Sequence, residues 1–172
     1  MGERETSSGV FQAYDTALAF AHAYLVLIKQ FETGIQVLDY SDGILLIPII
    51  VNGAFACELF LKALLLTPSR GHLLKDLFLR LDNQDNDLCE RIRQKTIYEL
   101  RKDNKEYNEN DFWGDLESMS KAFEELRYFH EPQQIPKQLE YNLGFLYTFC
   151  CVLKANCEVK YGRRPLLLPN QE

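Results

Sequence analysis

The stretch GILLIPIIVNGAFACELFLKALLL, residues 43–66, is the most apolar run of the sequence and decides the fold. Only Asn52, Glu58 and Lys62 interrupt it with strongly polar groups. A helix that is apolar on every side has to be buried on every side. We therefore predict a central helix over 49–66, with Pro48 in its first turn, around which the other helices pack.

The same stretch is also long enough to cross a bilayer, so a membrane span is the alternative interpretation. Glu58 and Lys62 favour a buried helix of a soluble protein, because charged groups near the centre of a bilayer are costly. These two residues lie four apart with the acid first, so they meet on one face of the helix. We expect no association with a membrane.

Apolar residues recur at intervals of three and four in most of the remaining chain, which is typical of amphipathic helices. No convincing run of strands appears. The fold class that we predict is all-α, an up-and-down helical bundle of five to six helices around a buried central helix. It forms a single domain over 1–172 with flexible ends at 1–7 and 162–172. Besides the central helix, we predict helices over 8–31, 72–81, 87–102 and 111–130, a last helix that begins at Pro136, and polar loops over 82–87 and 103–111.

The overall charge argues against one class of function. The chain has 172 residues and a formal net charge of −6. Proteins that bind nucleic acid by overall charge are usually basic, so non-specific binding of this kind is not expected. A local basic pocket remains open.

The cysteines indicate a reducing compartment. There are five, an odd number, and no C-x-x-C occurs. This pattern indicates reduced thiols in a cytoplasmic protein rather than a disulfide framework. The three histidines show no zinc-type spacing to the cysteines, and no nucleotide-binding glycine motif, serine-hydrolase motif or H-E-x-x-H occurs. We therefore expect no metal and no cofactor.

Polar residues in otherwise apolar surroundings are the candidates for a site. Glu58 and Lys62 form either a buried ion pair that also meets Arg127, or part of a polar pocket. His72 opens the third predicted helix, where it either caps backbone N–H groups or bonds a carboxylate such as Glu58. Its functional alternative is a ligand or acid–base group.

The segment ELRYFHE, residues 125–131, is the third candidate. If the helix persists, Arg127, His130 and Glu131 share one face. An arginine beside a histidine suits a phosphodiester, because the guanidinium holds the phosphate and the imidazole moves a proton. The structural alternative is that Arg127 anchors a carboxylate and His130 is an exposed helix end.

Three of these segments together resemble the bacterial HEPN superfamily. They are IIVNGAFACELFLKAL (49–64), Gly71-His72-x-Leu74 with Leu77-Phe78, and Leu126-Arg127-Tyr128-x-x-Glu131. The resemblance implies an up-and-down helical bundle, often a homodimer, with a role in RNA cleavage, nucleotide binding, toxin–antitoxin systems or phage defence. A nucleotidyltransferase-type protein is a partner of the kind that it implies. Phe112-Trp113 and the last helix offer large apolar area for a dimer interface.

This chain departs from the ribonuclease members of that family in one respect. Their arginine and histidine are separated by about four to six residues, whereas only two lie between Arg127 and His130. Three hypotheses follow. The first is a HEPN-like module that dimerises and binds RNA, a nucleotide or a partner protein through a groove formed by Asn52, Glu58, Lys62, His72, Arg127, Tyr128 and Glu131. The second is a metal-independent ribonuclease that uses Arg127 with His130 or His72, and the third is a purely structural helical interaction protein.

Overall fold

The chain folds into helices throughout its described parts. The computed structural model describes residues 3–33, 43–65, 71–127 and 141–162. No strand occurs within these ranges, which confirms the predicted all-α helical bundle. The six helices are α1 (Glu3–Thr33), α2 (Gly43–Leu64), α3 (Leu74–Gln84), α4 (Asn86–Leu100), α5 (Glu109–Arg127) and α6 (Leu143–Tyr161).

The apolar helix α2 is the centre of the bundle, as its composition predicts. It packs against α1, α3, α5 and α6, and side chains on successive turns are buried, among them Ile49, Ala56 and Phe60. Of the described helices, only the stretch Leu45–Leu64 is long and apolar enough to cross a membrane. Its contacts with four other helices are those of a core helix.

Helix α1 runs antiparallel to α2. The Phe20 and Phe55 rings meet edge to face with centroids 4.6 Å apart, and the rings of Tyr14 and Phe60 lie 6.3 Å apart. The residue number in α1 therefore falls as the number of its partner in α2 rises, which shows that the two helices run in opposite directions.

Helix α6 runs parallel to α2 on another side. Gly53 faces Leu146 at one end of the contact. At the other end, the Nζ of Lys160 donates a hydrogen bond of 2.8 Å to the carbonyl of Leu64, the last residue of α2. Lys160 thus satisfies a carbonyl that the end of a helix leaves without an intrahelical partner.

The start of α2 differs from the sequence prediction. The helix begins at Gly43, so Pro48 lies in its interior rather than in its first turn. Pro48 cannot donate to the carbonyl of Ile44, but this loss falls close to the helix start. The side chains of Leu45 and Ile47 pack against the core, which explains why the helix extends to cover them.

Other helix boundaries also differ from the predicted ones. The polar segment 82–87 is not a loop, because α3 continues to Gln84 and Asp85 alone separates it from α4. Asp85 caps α4 by accepting a 3.0 Å hydrogen bond from the backbone N–H of Leu88. Helix α1 begins at Glu3, before the predicted start at residue 8 and within the end predicted to be flexible. The predicted helix ends at His130 and Pro136 and the tail after 162 lie outside the described residues.

The prediction that Phe112 offers surface for a dimer interface is wrong. Its side chain is fully buried, and its ring contacts those of Phe78, Phe145 and Phe149. The neighbouring Trp113 is half-buried and packs edge to face on Phe78. Residue 112 therefore belongs to the aromatic core between α3, α5 and α6.

Candidate functional site

The centre of the candidate site is a carboxylate buried in the core. The side chain of Glu58 is 2% exposed, and its Oε1 lies 2.7 Å from the Nζ of Lys62, one turn further along α2. The Lys62 side chain is 18% exposed. The pair thus forms on one helical face, as the spacing predicts, with the acid buried and the lysine side chain partly exposed.

His72 brings a third group to the same carboxylate oxygen. Its Nδ1 lies 2.9 Å from Oε1 of Glu58, while its side chain is 59% exposed. His72 does not cap α3, because the capping position belongs to Leu73, which makes no side-chain capping bond. Of the two structural roles open from the sequence, the bond to a carboxylate is therefore the one observed. We call Glu58, Lys62 and His72 the Glu58 cluster.

The two nitrogens of the His72 ring have different surroundings. With its proton on Nδ1, the ring donates to Glu58 and presents Nε2 as an acceptor on an exposed edge. A carboxylate that bonds one imidazole nitrogen fixes the orientation of the ring and leaves the other nitrogen for a ligand or a proton. The Glu58 cluster can therefore hold an acidic group or transfer a proton at the surface.

The second oxygen of Glu58 is the unusual feature of the cluster. Oε2 is buried and has no hydrogen-bond partner among the residues that the structure describes. A buried carboxylate oxygen without a partner costs free energy. Arg127 is the last residue of α5, but its side chain is not among those described. Its predicted contact with Glu58 therefore stays a prediction.

The other predicted site residues are not all brought together. Asn52 lies on α2, but its Nδ2 donates a 2.7 Å hydrogen bond to the carbonyl of Pro48, within its own helix. Within the described part of the chain, this is the hydrogen bond that Asn52 makes, so its side chain serves the first half of α2 rather than Glu58. Tyr128, His130 and Glu131 lie outside the described residues. The structure therefore assembles Glu58, Lys62 and His72 out of the predicted set.

Sequence reasoning missed a second set of polar contacts close to His72 in the chain. The backbone N–H of Lys75 donates a 2.8 Å hydrogen bond to Oγ of Ser120, and its Nζ lies 2.6 Å from Oε2 of Glu117. These bonds fix the start of α3 against α5. The partners are more than 40 residues apart, so no local pattern could have indicated them.

Two surface grooves do not coincide with the Glu58 cluster. One, with a volume of about 570 Å³, is bordered by α1, α2 and α6, and includes Leu25, Ile49 and Tyr147. The other, about 340 Å³, lies between α4 and α6. Neither is lined by Glu58, Lys62 or His72. The Glu58 cluster therefore lies outside both of these grooves.

Three buried cysteines are unsuited to nucleophilic chemistry. All five are free, and burial raises the pKa of Cys57 well above its ordinary value and the pKa of Cys89 and Cys157 to about 12. Such thiols are protonated and unreactive at neutral pH. No group of His, Cys, Asp and Glu in the described ranges could hold a metal ion.

Comparison with known proteins gives no further direction. No family model, no curated protein and no solved structure matches this chain.

Proposed function

We propose that this chain is a HEPN-like helical module of the cytoplasm that forms a homodimer and binds RNA or a nucleotide at the Glu58 cluster. The observation that carries the proposal is the exposed His72 ring whose Nδ1 is held by a buried carboxylate. Burying a carboxylate is unfavourable, so its retention beneath a surface histidine is better explained by a role than by stability. The resemblance of three motifs to the HEPN superfamily supplies the ligand class.

A phosphate group fits the donors of the cluster. The Lys62 side chain is partly exposed and ends in a hydrogen-bond donor, and a protonated His72 donates from both nitrogens. Both side chains can therefore donate to phosphate oxygens while they remain anchored on Glu58. A toxin–antitoxin or phage-defence setting and a nucleotidyltransferase-type partner belong to this proposal through the resemblance alone.

A titration of the full chain with a fluorescent nucleotide and with a labelled RNA tests the proposal. We expect His72→Ala to weaken binding of both by about tenfold, because one charge-assisted hydrogen bond contributes about 1.5 kcal/mol. His22→Ala is the matched control, since His22 is an exposed histidine on α1. Equal binding by the natural protein and both variants would contradict the proposal.

The second candidate is a metal-independent endoribonuclease. The Glu58–His72 pair favours it, because a carboxylate-oriented imidazole is the arrangement of a general acid–base group. In this candidate His72 or His130 moves the proton and Arg127 stabilises the charge that develops on the phosphorus centre. The third hypothesis, a purely structural interaction protein, predicts neither binding nor cleavage.

Cleavage of a mixed RNA pool in the presence of EDTA separates these candidates. The variants are Arg127→Ala, His130→Ala and His72→Ala, with His22→Ala as the control. Loss of cleavage in Arg127→Ala and in one of the two histidine variants would establish a ribonuclease and identify its acid–base group. Equal cleavage in every variant would reject these residues as catalytic, and binding without cleavage would leave the binding module.

A further inference from the structure

Basic residues gather between Arg91 in α4 and Lys105 in the turn after it, in a protein that is acidic overall. Residues 91–105 contain six basic and two acidic side chains, a net charge of +4, whereas the whole chain carries −6. Four of these residues follow one another at intervals of four, three and four, so they form one stripe that runs along α4 and into the turn after Leu100. This stripe, which we call the Tyr98 face, consists of Arg91, Lys95, Tyr98 and Lys102, and all four are exposed.

Tyr98 is a large aromatic side chain that the core does not use. Its exposed fraction is 60%, the highest among the aromatic residues that the structure describes. The Nζ atoms of Lys95 and Lys102 lie 5.1 and 5.3 Å from the centre of its ring. An exposed ring with a lysine on either side along the helix provides a stacking surface between two cations.

Glu99 restrains these two lysines. Its Oε1 lies 2.6 Å from the Nζ of Lys95, and its Oε2 accepts a hydrogen bond from Lys102. The hydrogen bonds from Lys102 and Lys95 hold the pKa of the Glu99 carboxyl below its ordinary value. One carboxylate thus serves two ammonium groups, which leaves a surplus of positive charge beside the Tyr98 ring.

A groove lies beside this face. It has a volume of about 340 Å³ between α4 and α6, and its lining includes Lys95, Glu99 and Tyr147, which is 45% exposed. That volume is at the lower end of small-molecule sites, which are mostly apolar with a few polar groups. An unstacked base has a comparable character, with a flat ring and polar edges.

We infer that the Tyr98 face binds single-stranded nucleic acid. A base stacks on the Tyr98 ring, the adjacent phosphates lie against Arg91, Lys95 and Lys102, and the neighbouring base enters the groove beside Tyr147. Aromatic rings among basic side chains are the means by which single strands are bound without sequence preference. The exposed aromatic ring favours a nucleic acid over an acidic peptide, for which the cations alone would suffice.

This inference goes beyond the proposed function, because the Tyr98 face shares no residue with the Glu58 cluster. It can fail while the cluster binds a nucleotide, and the reverse also holds. The loss of single-strand binding caused by Tyr98→Ala should therefore be the same with and without His72→Ala, and Tyr98→Ala should leave nucleotide binding unchanged.

Fluorescence anisotropy of the full chain with labelled oligouridylate and oligodeoxythymidylate provides the test. We expect Tyr98→Ala to weaken binding about tenfold and Tyr98→Phe to bind like the natural protein, because the ring rather than the hydroxyl stacks. A plot of log affinity against log salt has a negative slope, and Lys95→Gln should make it less steep by about 0.7. This is the contribution of one phosphate contact to a single strand. Lys121→Gln is the matched control, since the Lys121 side chain is 57% exposed and that of Lys95 is 56% exposed.

A variant that is expected to bind the single strands more tightly than the natural protein adds a second test. Glu99→Gln removes a negative charge and releases both lysines, so we expect about threefold or greater tightening. Binding by Tyr98→Ala that equals the natural protein would overturn the inference, as would unchanged or weaker binding by Glu99→Gln. Equal affinity for a polyglutamate peptide would replace it with an acidic-peptide site. Loss of RNA binding in His72→Ala but not in Tyr98→Ala would place the nucleic acid at the Glu58 cluster instead.

Discussion

The Nδ1 of His72 lies 2.9 Å from Oε1 of Glu58, although the first side chain is 59% exposed and the second only 2%. The imidazole therefore connects solvent to a charge in the core. Lys62 reaches the same oxygen at 2.7 Å, from the same helix as Glu58. Because two donors share this oxygen, the loss of either one leaves the buried carboxylate with a single partner among the described side chains.

Removal of Lys62 should expose how the cluster affects stability. We expect Lys62→Met to lower the free energy of unfolding by about 2 kcal/mol, because it keeps the apolar stem but removes the charge that pairs with Glu58. The double variant with Glu58→Gln should be less destabilised than the sum of the two single variants. Urea unfolding of the four proteins measures this coupling. Strictly additive effects would show that the two side chains do not interact.

The sequence predicts the parts of this site that depend on local geometry. Glu58 and Lys62 are four residues apart, so the helical period alone places them together. From the sequence, the bond between His72 and Glu58 is one of several alternatives for His72. The choice among them depends on the path of the chain after α2, which no local pattern predicts. The bond from Lys75 to Ser120 joins residues 45 apart and depends on the packing of α3 on α5.

The difference between local geometry and contacts of distant residues also explains the errors in the predicted fold. The apolar run of α2 predicts a buried helix, but the rule that proline belongs in the first turn placed the helix start too late. The segment 82–87 has a loop composition, yet one capping residue, Asp85, is enough to end one helix and begin the next. Both Phe112 and Trp113 are apolar, and only the packing of α5 shows that Phe112 is the one in the core.

Two glycines in helices should respond to alanine in opposite directions. A Cβ at Gly53 would lie 2.8 Å from Cδ2 of Leu146 and 2.9 Å from Cε2 of Tyr24, and both of these side chains are fully buried. We expect Gly53→Ala to destabilise the protein by about 1–3 kcal/mol, because α2 and α6 must move apart. A Cβ at Gly114 meets nothing within 4 Å.

Gly114→Ala is therefore the matched control, and it should stabilise α5 by about 0.5–1 kcal/mol through helix propensity. Thermal unfolding of both variants gives the comparison. A Gly53→Ala protein as stable as the natural one would show that the parallel contact between α2 and α6 is looser than the structure indicates.

The start of α3 depends on a side chain from another helix. Ser120 is 4% exposed, accepts from the backbone N–H of Lys75 at 2.8 Å and donates to the carbonyl of Leu116 at 2.7 Å. Since Leu73 provides no side-chain cap, Ser120→Ala should cost about 1–2 kcal/mol in urea unfolding.

A buried hydroxyl that bonds only within its own helix provides the control for this variant. The Oγ1 of Thr96 donates to the carbonyl of Ile92, four residues earlier. Thr96→Val preserves the shape and leaves no orphan donor, so we expect a much smaller effect. Equal losses in the two variants would mean that the bond between α5 and α3 has no particular importance.

Asp115 should make the protein less stable as the pH rises. Burial raises the pKa of its carboxyl above the ordinary 3.8, although Tyr107 and Asn142 both donate hydrogen bonds to its Oδ2. Between 3.8 and the higher folded pKa, the folded state binds more protons than the unfolded state. Its contribution to stability is therefore fully present below 3.8 and is lost as the pH rises through the folded pKa.

Asp115→Asn removes this titration and leaves an amide oxygen that can still accept from Tyr107 and Asn142. The free energy of unfolding of the variant minus that of the natural protein should therefore be larger at about pH 7 than at about pH 3.5. Urea unfolding at both pH values measures this difference. Glu117→Gln should show the opposite trend, because Lys75 lowers the pKa of Glu117 and the stability that it contributes is present above 4.5 and lost on acidification. If Asp115→Asn followed the trend of Glu117→Gln, the burial of Asp115 would not be what controls its charge.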